Sequence, residues 1–328
     1  MKSVFDRVVP VMVTFLCALW VHFATAQTFP SKPVRIIVPT TSGGLSDGLA
    51  RAVGQRVGEA IGQPVIIENR PGGNFNIGMA VCAKAPPDGY TLCLTTPDPL
   101  SYNPHLFTSL PFDPDNDFAP VIQLVKINGV IVTRPELPFN SIKDIVAFDK
   151  AKPGALNWAT LGPGSVSQVY LGWIKNQTGA GIIGVPYKGA NQLTAAVLGG
   201  EVQLTYVGLG FAMNLIDAGR LKPLAVTGAG RSPALPEVST LEEQGSDPGL
   251  RSWVGVFAPA KTPKPIIDRL NLEFTKALHL PAIQAFLKTQ TFEPVGNSPA
   301  EFGEFLKADR ANAGRIFKTL GIGPGNAQ

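Results

Sequence analysis

Short β-branched runs alternate with stretches of helical periodicity along most of this chain. Val34-Arg35-Ile36-Ile37-Val38 is almost wholly apolar, the pattern of a strand buried on both faces. Leu49, Val53, Val57 and Ile61 then recur every fourth residue and predict one buried face of a helix closed by Gly62. Val65-Ile66-Ile67 predicts a second strand, residues 76–85 a helix and residues 91–95 a third strand. The resulting βαβαβ unit implies a parallel sheet with right-handed crossovers. The proline-rich stretch from Pro97 to Pro120 reads as surface. Strands follow at 121–125 and 130–133, and Ser141-Ile142-Lys143-Asp144 has the form of a capping box.

A second alternating series comes next. Strands are expected at 156–159, 182–185, 202–207 and 224–227, with helices starting at Ser165, Ala190 and Phe211 between them. Residues 253–258 predict another strand. Helices at 265–278 and 281–289 precede a long one capped by Ser298, with Pro299 in its first position and Glu301 three residues after the cap. Two βα series predict two α/β lobes. Such lobes bind ligands at the carboxyl ends of their strands, where loops meet helix N-termini.

Composition narrows the classes of function. Of 328 residues, 45% are hydrophobic, so the chain is not disordered. Three His and three Cys argue against a disulfide scaffold and against a metal site. The net charge of +4 carries no nucleic-acid footprint. Lys2 and Arg7 precede an apolar stretch from Val8 to Ala24, and Ala24-Thr25-Ala26 is an A-x-A cleavage pattern, so residues 1–26 read as a secretory signal peptide. Its removal leaves Cys82 and Cys93, which are expected either as two buried thiols or as a disulfide in an oxidising compartment.

Two strand-to-helix loops are the candidate ligand sites. The first runs through Thr41, Ser42, Gly43, Gly44, Ser46 and Asp47. Its glycines allow close backbone approach, and the unpaired first-turn N–H groups favour an anion. Asp47 either caps the helix or touches the ligand. The second runs through Thr160, Gly162, Gly164, Ser165, Val166, Ser167 and Gln168 and has the same form, so the two loops are expected to face each other across a cleft and grip both ends of a dianion. Thr95 and Thr96, at the end of the third strand, are expected to line it. Tyr187 and Lys188 stand at a corner that serves either the ligand or solvent, and Trp253 is expected in core or hinge packing more than as a ligand platform. Neither glycine loop carries a phosphate-loop or dinucleotide fingerprint. Ser165 is not in a G-x-S-x-G elbow, and His105 and His279 are distant in sequence, so a serine hydrolase is a minor alternative.

Taken in order, the motifs resemble a known family. They include Phe29-Pro30-Ser31-Lys32-Pro33, the Pro39 to Asp47 loop, Glu68-Asn69-Arg70-Pro71-Gly72, Asn76-Ile77-Gly78, Pro87-Asp88-Gly89-Tyr90-Thr91 and Asp117-Phe118-Ala119-Pro120. Val185-Pro186-Tyr187-Lys188-Gly189, Leu198-Gly199-Gly200, Leu224-Ala225-Val226-Thr227 and Arg231-Ser232-Pro233-Ala234-Leu235-Pro236 continue the series. The chain is similar to Bug-type (TctC-like) periplasmic solute-binding receptors of tripartite tricarboxylate transport systems. The resemblance implies a type II periplasmic-binding-protein fold, α/β, with two lobes joined by two crossing strands around a ligand cleft. It places the crossings near Lys126-Ile127-Asn128 and Arg251-Ser252-Trp253, so one lobe comprises residues 27–127 and 252–328 and the other 128–251.

The resemblance also implies a periplasmic receptor for a small organic carboxylate that performs no chemistry and uses no cofactor or metal. A monomer is expected, delivering its ligand to membrane transporter subunits or, alternatively, presenting it to a membrane sensor. Two positions depart from the family. Gln168 stands where a histidine is usual, and Val207 stands where an aspartate is usual. Gln168 cannot become cationic, and Val207 makes that wall of the cleft apolar. The expected ligand therefore has an apolar or aromatic portion beside its carboxylate.

Overall fold

The computed structural model describes residues 29–162 and 164–324. The signal peptide read at residues 1–26 lies outside them. The first βα series forms as its periodicity predicts: β1 (Val34–Val38), α1 (Leu45–Ile61), β2 (Val65–Asn69), α2 (Asn76–Ala83) and β3 (Thr91–Thr95). Leu49, Val53 and Val57 of α1 are buried against Val34, Ile36 and Val38, as their four-residue spacing requires. β1 pairs in parallel with both β2 and β3.

The chain after β3 departs from its expected surface position. A π-helical turn, Asp98–Tyr102, runs into the short helix α3 (Asn103–Leu106). Leu100, Tyr102, Leu106 and Phe112 from this stretch are buried. Its prolines stand between apolar anchors and break up regular structure, which hides the anchors from a periodicity reading.

Two long segments carry the chain between lobes. β4 (Phe118–Ile127) belongs to the first sheet, and β5 (Gly129–Thr133) begins the second after a single residue, Asn128. The second series then gives α4 (Ile142–Ala151), β6 (Asn157–Thr160), α5 (Val166–Thr178), β7 (Ile183–Pro186), α6 (Ala190–Gly199), β8 (Leu204–Gly208), α7 (Leu209–Asp217) and β9 (Lys222–Val226). The return is β10 (Ser252–Pro259), followed by α8 (Lys264–Leu278), α9 (Pro281–Thr289), β11 (Phe292–Pro294) and α10 (Pro299–Thr319).

The first sheet has the order β11-β4-β10-β3-β1-β2, and the second β7-β6-β8-β5-β9. β10 is antiparallel to β3 and β4, and β5 is antiparallel to β8 and β9. Each sheet is therefore a parallel core plus antiparallel strands that enter or leave the lobe. Helices cover both faces of both sheets.

α10 opens with the expected capping box, in which Ser298 Oγ accepts from the Glu301 N–H and the Glu301 carboxylate accepts from the Ser298 N–H. Its first half buries Phe302 and Leu306 in the first lobe, and its second half packs Ala313, Ile316 and Phe317 with Tyr170 and Trp173 of the second. Cys82 of α2 and Cys93 of β3 form a disulfide with their Cα atoms 6.0 Å apart, within the usual range, which resolves the alternative left open by the sequence.

Candidate functional site

The carboxyl ends of the parallel strands of both sheets turn toward a cavity of about 420 Å³ between the lobes. The first lobe contributes Asn74 and Phe75 after β2, Thr96 and Asp98 after β3, and Ser252 at the start of β10. The second contributes Leu161 and Gly164 to Ser167 after β6, Leu193 from α6, Tyr206 to Gly208 at the end of β8, and Phe211 from α7.

The loop after β6 is built from its own polar groups. Gly162 and Gly164 have φ of 91° and 76°, which an L side chain adopts only under strain. Gly162 N–H donates to Thr160 Oγ1 at 3.1 Å, and Ser165 Oγ donates back to the Gly162 carbonyl at 2.7 Å. Ser165 Oγ also accepts from the Gln168 N–H and caps α5, while Ser167 Oγ accepts from the Leu161 N–H at 3.0 Å. The N–H groups of Val166 and Ser167, at the first and second positions of α5, have no acceptor among the described residues. They stand in the first turn of α5, where a helix N-terminus carries partial positive charge, and they border the cavity.

The loop after β1 is organised differently. Thr41 to Gly44 are exposed and lie outside the cavity wall, as do Ser46 and Asp47. Because β1 stands between β2 and β3, this loop occupies the same end of the sheet as the two loops that do line the cavity. Gly44 is the N-cap of α1, and Asp47 sits in its first turn. Its carboxylate accepts from the Gly43 N–H at 2.9 Å, from Ser42 Oγ, from Arg51 and from Asn69 Nδ2 at 3.0 Å, and Asn69 also donates to the Thr40 carbonyl. Asp47 thus ties the loop to α1 and to the end of β2.

Burial alone would raise the Asp47 pKa, but the hydrogen bonds from Arg51, Gly43 and Asn69 and the Arg51 charge outweigh it and hold the carboxyl at about 2, against an ordinary 3.8. The folded-state pKa is depressed, so the contribution is present above about pH 4 and is lost as pH falls toward 2. Asp47→Asn is expected to cost about 2 kcal/mol at pH 7, and the difference from wild type is expected to shrink to about half by pH 3. Urea denaturation of both proteins at the two pH values checks this.

Of the residues expected at the site, Thr96, Gly164, Ser165, Val166, Ser167 and Val207 line the cavity. Thr95, Thr160, Gly162 and Gln168 do not. Thr95 and Thr160 are buried in their strands, and the Gln168 amide lies beside Gly184 of β7. His105 Nε2 hydrogen-bonds the Arg310 carbonyl and His279 Nδ1 the Thr275 carbonyl, so neither histidine is engaged with Ser165 or Ser167. Trp253 is wholly buried, with its Nε1 donating to Asp309, as core packing requires.

Sequence reasoning missed Asn74, Phe75, Asp98, Tyr206, Phe211 and Ser252. A signal was present for the first two: Gly72-Gly73 precede them, and residues 72–75 all have positive φ, the mark of a strained loop at a strand's carboxyl end. Phe211 and Leu161 are large apolar residues left 39% and 44% exposed at the cavity, which gives the cleft an apolar wall beside Val207. Tyr206 stacks on Tyr170 with ring centroids 4.4 Å apart. Asp98 accepts from Thr96 Oγ1 at 2.7 Å, and burial raises its pKa because that hydrogen bond and one from its own backbone N–H offset only part of the desolvation.

Two α/β lobes joined by crossing strands, with a cleft between them, define a type II periplasmic-binding-protein fold. The chain belongs to the tripartite tricarboxylate transporter receptor family, whose model matches residues 49–322. It is 33% identical over 284 residues to protein BugT of Bordetella pertussis, covering 86% of this chain and 87% of that protein. A Rhodopseudomonas palustris protein solved with adipate superposes with a TM-score of 0.80 at 34% identity, covering 90% of this chain and 99% of that one. MatC from Rhodopseudomonas palustris with bound malate superposes at 0.75 and 27% identity, covering 88% and 99%.

Proposed function

We propose that this protein is a periplasmic receptor that captures a small organic carboxylate between its lobes and delivers it to a membrane transporter without altering it. The lobes are residues 27–127 with 252–328, and 128–251, and the chain reaches the periplasm through a signal peptide cleaved after Ala26. The observation that carries the reading is the N-terminus of α5 at the wall of an interlobe cavity, where the N–H groups of Val166 and Ser167 have no acceptor among the described residues and can receive a carboxylate. Adipate in one relative and malate in another support a carboxylate as the guest. The loop after β1, from Thr41 to Asp47, moves toward the site as the lobes close.

A ligand specific for the native state raises its melting temperature. Thermal-shift screening against a library of aliphatic and aromatic mono- and dicarboxylates is expected to give at least one hit. The hit is expected to be lost in Gly164→Val, which forces a β-branched residue into a φ of 76° within the anion-binding loop. A library with no hit would overturn the proposal.

A further inference from the structure

Among the described residues that line the cavity, Asp98 carries the one full negative charge, and no Lys, Arg or His faces it there. Its carboxylate is part of no ion pair among the described residues, and its single side-chain donor is Thr96 Oγ1 at 2.7 Å. The groups around it do not compensate it: Tyr102 and Tyr206 are neutral, and Asp309, packed behind Tyr102, has the same sign. On the opposite lobe the N-terminus of α5 favours an anion, and Phe75, Val207 and Phe211 make the space between apolar.

A dicarboxylate long enough to fill this space would place its second carboxylate in the region of the uncompensated Asp98, a like-charge contact in a desolvated setting. A ligand with a positively charged group at that end would give Asp98 the partner it lacks. Resting on the carboxylate-receptor reading above, we infer that Asp98 is a specificity-determining residue that selects ligands bearing an ammonium group at the end opposite the carboxylate, with an apolar spacer between them. The carboxylate would take the α5 N-terminus of one lobe and the ammonium would take Asp98 of the other. Each end is then held by a different lobe, so the zwitterion favours the closed state by bridging the cleft.

The test compares two matched series, the α,ω-dicarboxylates of four to eight carbons and the ω-amino acids of the same lengths, titrated calorimetrically into wild type and Asp98→Asn. Wild type is expected to bind its best ω-amino acid roughly tenfold or more tighter than the dicarboxylate of equal length, the worth of a charge-assisted hydrogen bond. In Asp98→Asn that preference is expected to vanish or invert, with the melting temperature of the ligand-free variant unchanged. Tighter binding of the dicarboxylates by wild type would overturn the inference while leaving the carboxylate receptor standing. An equal loss of both series in Asp98→Asn would also overturn it, because a purely structural role predicts that pattern. If no member of either series binds and the carboxylate library also gives no hit, the receptor reading falls and the inference with it.

Discussion

Trp253→Ala is expected to remove about 3–5 kcal/mol of folding stability, the range for deleting a fully buried large aromatic side chain. The indole packs edge-on against Phe302 and Phe305 at 5.5 and 6.1 Å and lies beside Phe257, so truncation empties the centre of an aromatic cluster. Its Nε1 donates to Asp309 at 3.0 Å, and burial already raises the Asp309 pKa. The substitution therefore also strips a donor from a buried carboxyl. Because β10 begins at Ser252 on the cleft and Asp309 lies on α10, the same contact joins the returning crossing strand to the helix that spans both lobes. For a protein with a typical margin of about 5–15 kcal/mol, this is a large share. Urea denaturation should show a much lower midpoint, and Trp253→Phe should recover most of the packing but not the hydrogen bond. An unchanged midpoint would remove Trp253 from the account of how the crossing is held.

Gly129→Ala is expected to cost about 1–3 kcal/mol of stability, as overpacking does, and to weaken ligand binding by roughly tenfold or more. Gly129 is the first residue of β5, directly after the crossing, and a Cβ there would overlap the hydroxyl and ring of Tyr206. The backbone cannot yield easily, since Gly129 N–H donates to Thr227 Oγ1 at 2.8 Å and its carbonyl accepts from the Thr227 N–H at 2.9 Å. The ring is stacked on Tyr170 on one side, so it can move only by breaking that stack or by entering the cavity it lines. Either response changes the shape of the cleft. Paired measurement of melting temperature and ligand affinity separates this from a general loss of fold, because affinity should drop at temperatures where the variant is fully native.

How much of this was legible depends on how local the signals are. The four-residue spacing of Leu49, Val53, Val57 and Ile61 and the Ser298-Pro299-Glu301 start of α10 are complete within a few residues, and both elements form as read. β11 leaves no mark in the sequence, because three residues give no periodicity and Phe292 to Pro294 form a strand only by pairing with β4. The stretch from Pro97 to Pro120 has the sequence of a surface segment but is partly core, because its apolar anchors are irregularly spaced and are buried against α10 and β4, distant in sequence.

The site divides in the same way. Gly164 to Ser167 carry a local grammar of strand, glycine loop and helix start, and they line the cavity. Tyr206, Phe211, Ser252 and Asp98 carry no local mark of function and reach the cleft only through the topology of both sheets. Asp47 shows the limit from the other side. Its position at a helix start was conspicuous, but four neighbouring donors saturate its carboxylate and make it a builder of the loop.

The central claim is that a carboxylate seats between the lobes on the α5 N-terminus. Calorimetric titration of the purified protein with the carboxylates that raise its melting temperature tests it most directly. The expected result is saturable binding of one ligand per chain, abolished by Gly164→Val in a protein that remains folded. Absence of saturable binding, or binding that Gly164→Val leaves untouched, would contradict it.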